Sequence, residues 1–165
     1  MSTCMGFDPG YDRLGWAVGE LENGKIVQLT AYGAIITDPQ QTLYQRYSQI
    51  LTELETLVVT HQPTEAAIES LFFATNRKTA LHVSEARGIL ISVLLRHHCQ
   101  LSEYTPLQIK QAVTGYGNAE KTAVDKMVRL QLKLPDTKIL DDTMDALAVL
   151  LTYATRGYFE KRTHQ

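Results

Sequence analysis

The spacing of apolar positions divides the chain into a strand-rich first quarter and a helix-rich remainder. Residues 4–7, Cys-Met-Gly-Phe, are too short for anything but a strand, and Asp8-Pro9-Gly10 punctuates them as a turn. A second strand is expected over residues 14–21. Asn23-Gly24 is a strong two-residue hairpin signal and leads into a third strand over residues 25–37, so three antiparallel strands follow one another. After Pro39, Leu43, Tyr47, Ile50, Leu51, Leu54, Leu57 and Val58 recur at helical spacing, which predicts an amphipathic helix over one sheet face.

Beyond Pro63, residues 66–72 read as a short buried strand, parallel to the first because a helix separates them. A helix follows over about residues 78–99. Its stretch from Ile89 to Leu95 is apolar on every side, predicting burial all round. Ala80, Ser84, Gly88 and Ser92 form a stripe of small residues at spacing four. Two readings of it stand side by side: the seam of a symmetric dimer, or close packing on the chain's own sheet. Residues 102–104 make a fifth strand. Thr105-Pro106 then has the form of an N-cap with proline at the first helical position, opening a helix to about residue 113. Asn118, closing the loop Gly115-Tyr116-Gly117-Asn118, is expected to cap a helix over residues 119–133, which Pro135 ends. The last helix begins near Asp141 and runs at least to Tyr153. This order predicts an α/β fold, a mixed five-stranded sheet with helices on both faces, over residues 1–155, followed by a basic tail over residues 156–165.

The 165 residues and 44% hydrophobic content suit one domain with a sizeable core. No apolar run approaches the roughly 20 residues that span a bilayer, and no basic segment leads into an apolar one at the N-terminus. A soluble, cytoplasmic protein with no membrane association is expected. Cys4 and Cys99 belong to no metal or redox pattern and read as small core hydrophobes. The net charge of −2 hides an asymmetry: residues 1–74 carry three basic and nine acidic side chains, and residues 75–165 carry thirteen basic and nine acidic ones. The second part therefore has the charge for an anion-binding surface, or for an ordinary solvated one.

Chemistry enters with the acidic residues. Asp142 and Asp145 lie three apart at the start of the last helix, sharing one face with Cβ atoms roughly 5–6 Å apart. Capping explains Asp141 and Asp142, but not Asp145 a turn further in. Glu69 sits inside an apolar strand, where an unpartnered carboxylate is costly; a strand end or a salt bridge is the other explanation. Asp8 is an Asx-type turn residue or the neighbour of Glu69 at the C-terminal ends of two parallel strands, where open α/β sheets place their sites. Together the four make a hard, all-oxygen set suited to Mg²⁺ or Mn²⁺. Such sets suit two-metal phosphodiester hydrolysis.

Six stretches complete the picture: Phe7-Asp8-Pro9-Gly10, Ala67-Ile68-Glu69-Ser70, Glu85-Ala86-Arg87-Gly88, Ile109-Lys110-Gln111, Gly117-Asn118-Ala119-Glu120-Lys121 and Asp142-Thr143-Met144-Asp145-Ala146-Leu147-Ala148. In this order, across nearly the whole chain, they resemble the RuvC family of Holliday-junction resolvases. The resemblance implies a ribonuclease-H-like fold, a homodimer, and paired Mg²⁺-dependent nicking of a four-way DNA junction that leaves 5′-phosphates. It assigns Asp8, Glu69, Asp142 and Asp145 to two metal ions per site, with Mn²⁺ able to substitute, and makes them catalytic together with Lys121. It places Lys110 and Lys121 near the scissile phosphate. Lys121 also stands in the first turn of a helix, and helix N-termini favour phosphate. Phe72 resembles a wedge against unstacked junction bases, and Phe73 is either a second stacking group or core. Arg77 and Lys78 belong to the same DNA-facing segment or to a solvated helix start. A branch-migration motor is the implied partner. The competing readings are another ribonuclease-H-like nuclease, acting on RNA precursors or hybrids, and a catalytically silent junction-binding module.

Overall fold

The structure, a computed structural model, describes residues 1–70 and 77–157, but not the side chains of residues 77 and 78. Three strands open the chain: β1 (Ser2–Asp8), β2 (Arg13–Glu22) and β3 (Lys25–Ile36). β1 pairs antiparallel with β2, and β2 with β3. The turn between β2 and β3 has Asn23 at φ 50° and Gly24 at φ 76°, the double left-handed geometry that asparagine and glycine tolerate. Helix α1 (Leu43–His61) begins in a capping box. Thr42 accepts from the Gln45 amide at 3.4 Å, while the Gln45 side chain accepts from the Thr42 amide at 3.0 Å.

β4 (Glu65–Glu69) lies parallel to β1, and β5 (Gln100–Tyr104) parallel to β4, in the order β3-β2-β1-β4-β5. This is the expected mixed five-stranded sheet. β4 is described as far as Glu69, where the Ser70 amide still donates to the Tyr104 carbonyl of β5 at 2.9 Å; residues 71 and 72 of the expected strand lie outside the described residues. Helix α2 (Arg77–Arg96) joins β4 to β5, and α3 (Pro106–Thr114), α4 (Lys121–Leu132) and α5 (Asp141–Thr152) follow β5. α5 continues as a π-helical turn over Tyr153–Gly157. Residues 158–165, most of the expected tail, lie outside the described residues.

Alternate residues of β1 feed two cores, as the two-residue period of a strand requires. Met5 and Phe7 pack with Ile50 and Leu54 of α1 and Leu90 and Leu94 of α2. Cys4 packs on the other face with Leu147 and Leu150 of α5. Both cysteines are buried, as expected.

Two expectations are corrected. Asn118 does not cap α4: it lies in a turn closed by the Ala119 amide on the Tyr116 carbonyl at 3.1 Å, and the chain is still extended at Glu120. The helix therefore starts at Lys121. Nor is the stretch from Ile89 to Leu95 buried all round: Leu95 is 55% exposed. The sheet and α1 cover only one side of that helix. Gly88 and Ser92 are exposed, and among the described residues no atom lies within 4 Å of where a Gly88 Cβ would stand, so close packing on the chain's own sheet does not explain that end of the small-residue stripe.

Candidate active site

Parallel pairing brings two carboxylates together. Phe7 is aligned with Ile68, so the next residues, Asp8 and Glu69, stand at adjacent C-terminal ends of β1 and β4. α5 supplies the other two by lying directly against the sheet. A Cβ on Gly6 would stand 2.6 Å from the Ala146 carbonyl oxygen, and one on Gly15 only 1.8 Å from that of Asp142. Glycine alone permits that approach. Since Gly15 is the β2 residue opposite Asp8, the contact sets the N-terminus of α5, with Asp142 and Asp145, beside the end of β1.

The electrostatics report this convergence. Burial, then the charges of Glu69, Asp145 and Asp142, push the Asp8 carboxyl up to about 8, against a smaller pull from Lys121. Burial and Asp145 push Glu69 up to about 7. Burial also raises Asp145, although Lys121 opposes it. Three carboxyls that resist ionisation in one place describe a site short of positive charge.

Two cations meet part of that shortage. The Lys121 ammonium donates to Asp145 at 3.1 Å and lies 3.6 Å from Asp141. Burial pulls Lys121 down, but its contacts with Asp145 and Asp141 outweigh this and leave it above its ordinary value. Arg13 reaches Asp142 at 3.5 Å from the first position of β2. Sequence reasoning missed Arg13. The signal was present, because pairing two strands across a turn at residues 9–12 returns the chain beside Asp8. Asp142, 27% exposed, acts on Asp8, whereas Asp141 is 77% exposed and faces Lys121.

A cleft of about 250 Å³ opens here, lined by Glu69, Lys110, Lys121 and Asp145 with an apolar wall from α3 and α5. Lys110 and Lys121 therefore line the same cleft as Glu69 and Asp145. Phe72 and Phe73, and the side chains of Arg77 and Lys78, lie outside the described residues.

The donor set fits hard divalent cations: all its ligating atoms are carboxylate oxygens, and nitrogen and sulfur donors take no part. In the present arrangement no three His, Cys, Asp or Glu side chains among the described residues form a ready ligand group. Asp145 and Asp142 turn instead to Lys121 and Arg13.

Residues 4–153 match the family described as crossover junction endodeoxyribonuclease RuvC. A relative of that name from Alkaliphilus metalliredigens is 42% identical over 156 residues, which cover 94% of each chain. One from Petrotoga mobilis is 44% identical over 146 residues, covering 88% of this chain and 89% of the relative. Among solved structures, T. thermophilus RuvC in complex with Holliday junction substrate is similar at a TM-score of 0.89 and 28% identity, over 97% of both chains. The observed sheet and helices are the ribonuclease-H-like architecture the six motifs implied. Matched from its first strand to its last helix, the chain belongs to the RuvC family of crossover junction endodeoxyribonucleases.

Proposed function

We propose that this protein is a structure-selective DNA endonuclease that resolves Holliday junctions by paired, Mg²⁺-dependent hydrolytic nicks leaving 5′-phosphates. The observation that carries the proposal is the meeting of Asp8, Glu69, Asp142 and Asp145, from three separate elements, where burial first and their mutual repulsion second raise Asp8 to about 8. Asp8, Glu69, Asp142 and Asp145 would hold two divalent ions, whose chemistry there would be to activate water and stabilise the leaving oxygen. The protein's own groups do the rest. Asp8 and Glu69 must give up their protons before they can ligate, so the site assembles as the pH rises. Lys121, at the first position of α4, releases Asp145 and turns to the substrate phosphate, which the amides at that helix start also favour. Lys110 offers a second cation from the same cleft.

A four-way junction needs two matched cuts, and so a symmetric pair of sites. The open face of α2 supports a homodimer: Leu81, Gly88 and Leu95 recur at seven-residue intervals, and both leucines are more than half exposed. An exposed apolar stripe of this kind is the usual mark of a partner. Stacking on junction bases is assigned to Phe72 and Phe73, with Arg77 and Lys78 beside them, on the strength of the family resemblance. The same resemblance supports a cytoplasmic setting and a branch-migration motor as partner. Among the described residues, no helix is long and apolar enough to cross a membrane.

The test compares a synthetic four-way junction, a linear duplex and an RNA–DNA hybrid, each with Mg²⁺, with Mn²⁺ and with a chelator. Nicking of the junction alone, dependent on either metal, is expected. Preferential cutting of the hybrid overturns the substrate assignment, and binding without metal-dependent cutting overturns the enzyme.

A further inference from the structure

Away from the carboxylate cluster, Arg46 in the first turn of α1 is a buried charged side chain with several partners. Only 7% of it is exposed, and Thr37 beside it is 4% exposed. A buried guanidinium is costly unless its donors are met. Here they are met largely by the segment that follows Asp8. Arg46 Nε donates to Thr37 Oγ1 at 2.8 Å, and Nη2 to the Tyr11 carbonyl at 3.3 Å and to the Asp12 carboxylate. The guanidinium carbon stands 4.8 Å from the centre of the Tyr11 ring. Thr37 completes the clasp: its hydroxyl donates to the Tyr11 carbonyl at 2.7 Å, and its amide to the Asp12 carbonyl at 3.0 Å.

The clasped residues join Asp8, which ends β1, to Arg13, which begins β2 and reaches Asp142. The segment has no slack, since a Cβ on Gly10 would stand 2.0 Å from the Arg13 carbonyl. On its other side the Tyr11 ring meets the edge of His82 of α2 at 5.3 Å. Tyr47, the residue after Arg46, is bonded to Glu85 and to the His82 carbonyl on that helix. One buried cation therefore holds the segment between β1 and β2, while Tyr11 and Tyr47 beside it reach the helix that bears the open apolar face.

We propose that Arg46, acting with Thr37, is a positioning residue: it holds residues 9–12 so that Asp8 and Arg13, at their two ends, face the N-terminus of α5. The inference rests on the reading of Asp8 as a metal ligand. Groups that orient metal ligands from behind typically change affinity or activity by about 10–100-fold when lost.

The test uses Thr37→Val and Arg46→Lys, which retain bulk or charge, beside Arg46→Ala, which leaves Asp12 without its cation and is the variant most exposed to misfolding. Melting temperature, Mn²⁺ binding by calorimetry without DNA, junction binding in Ca²⁺ and single-turnover nicking are measured on each folded protein. Thr37→Val and Arg46→Lys are expected to bind the junction as the unmodified protein does, while Mn²⁺ affinity and nicking rate both fall about 10-fold or more. Folded Thr37→Val and Arg46→Lys proteins with unchanged Mn²⁺ affinity overturn the proposal even if they melt earlier, because a purely structural clasp gives that result. If the unmodified protein leaves the junction uncut, the functional reading fails instead, and the Mn²⁺ titration still decides the role of Arg46.

Discussion

Asp8 and Glu69 keep their protons up to about pH 8 and 7, well above ordinary carboxyls. Because the folded state holds these protons more tightly than the unfolded one, their contribution to stability is complete at acid pH and is lost as pH rises through those values. In chelator the melting temperature should therefore fall between about pH 5 and pH 8.5, and Asp8→Asn should flatten the decline. Mg²⁺ should restore stability at the alkaline end, where the carboxylates are free to ligate. A melting temperature that rises over this interval in both proteins contradicts the coupling. Asp8→Asn or Glu69→Gln should lower nicking by about 10³-fold or more while leaving junction binding intact, since a metal-stabilised transition state is worth several kcal/mol. Rapid nicking by either variant in Mg²⁺ excludes that residue from the site. At this scale the sequence was legible wherever a residue broke a local rule. Glu69 in an apolar strand and Asp145 beyond the reach of capping both did. Arg13 and Arg46 broke none, because an arginine on a strand or helix is ordinary until its neighbours in space are known.

At the scale of elements, α5 places its aspartates by lying on two glycines. Gly15→Ala would push a methyl group into the Asp142 carbonyl, which a Cβ meets at 1.8 Å, so the strand or the helix has to move. Overpacking of this kind costs about 1–3 kcal/mol, and misplacing a reacting group by about 1 Å can cost 10²-fold in rate. Thermal melts and nicking rates of Gly15→Ala should show both losses; a normal rate means that the contact does not set the site. Gly88→Lys tests α2 in the opposite sense. The open space around Gly88 should accept the lysine without loss of fold by circular dichroism, while sedimentation equilibrium shifts from dimer to monomer. An unchanged dimer rules out this seam. The element order was legible because strand period, hairpin signal and capping box are local. The start of α4 and the exposure of α2 were not. The first depends on a turn that holds Asn118 away from the helix, and the second on which faces the sheet leaves uncovered.

Across the whole molecule, the net charge of −2 conceals an uneven distribution: Asp8 and Glu69 come from the acidic first part, and the basic second part adds Lys110 and Lys121 beside Asp142 and Asp145. Junction binding in Ca²⁺ should weaken steeply with salt, and Lys110→Ala should reduce the slope by about one counterion. An unaltered slope removes Lys110 from the phosphate contacts. The fold and the carboxylate site together account for a single nick; two coordinated nicks require a second site, which the proposed dimer would supply. The most direct measurement uses a supercoiled plasmid that extrudes a cruciform, incubated with the protein in Mg²⁺. Paired nicking predicts a linear product with nicked hairpin ends that ligase seals, formed without accumulation of nicked circles. Nicked circles as the sole product, or a plasmid left intact, contradict the account.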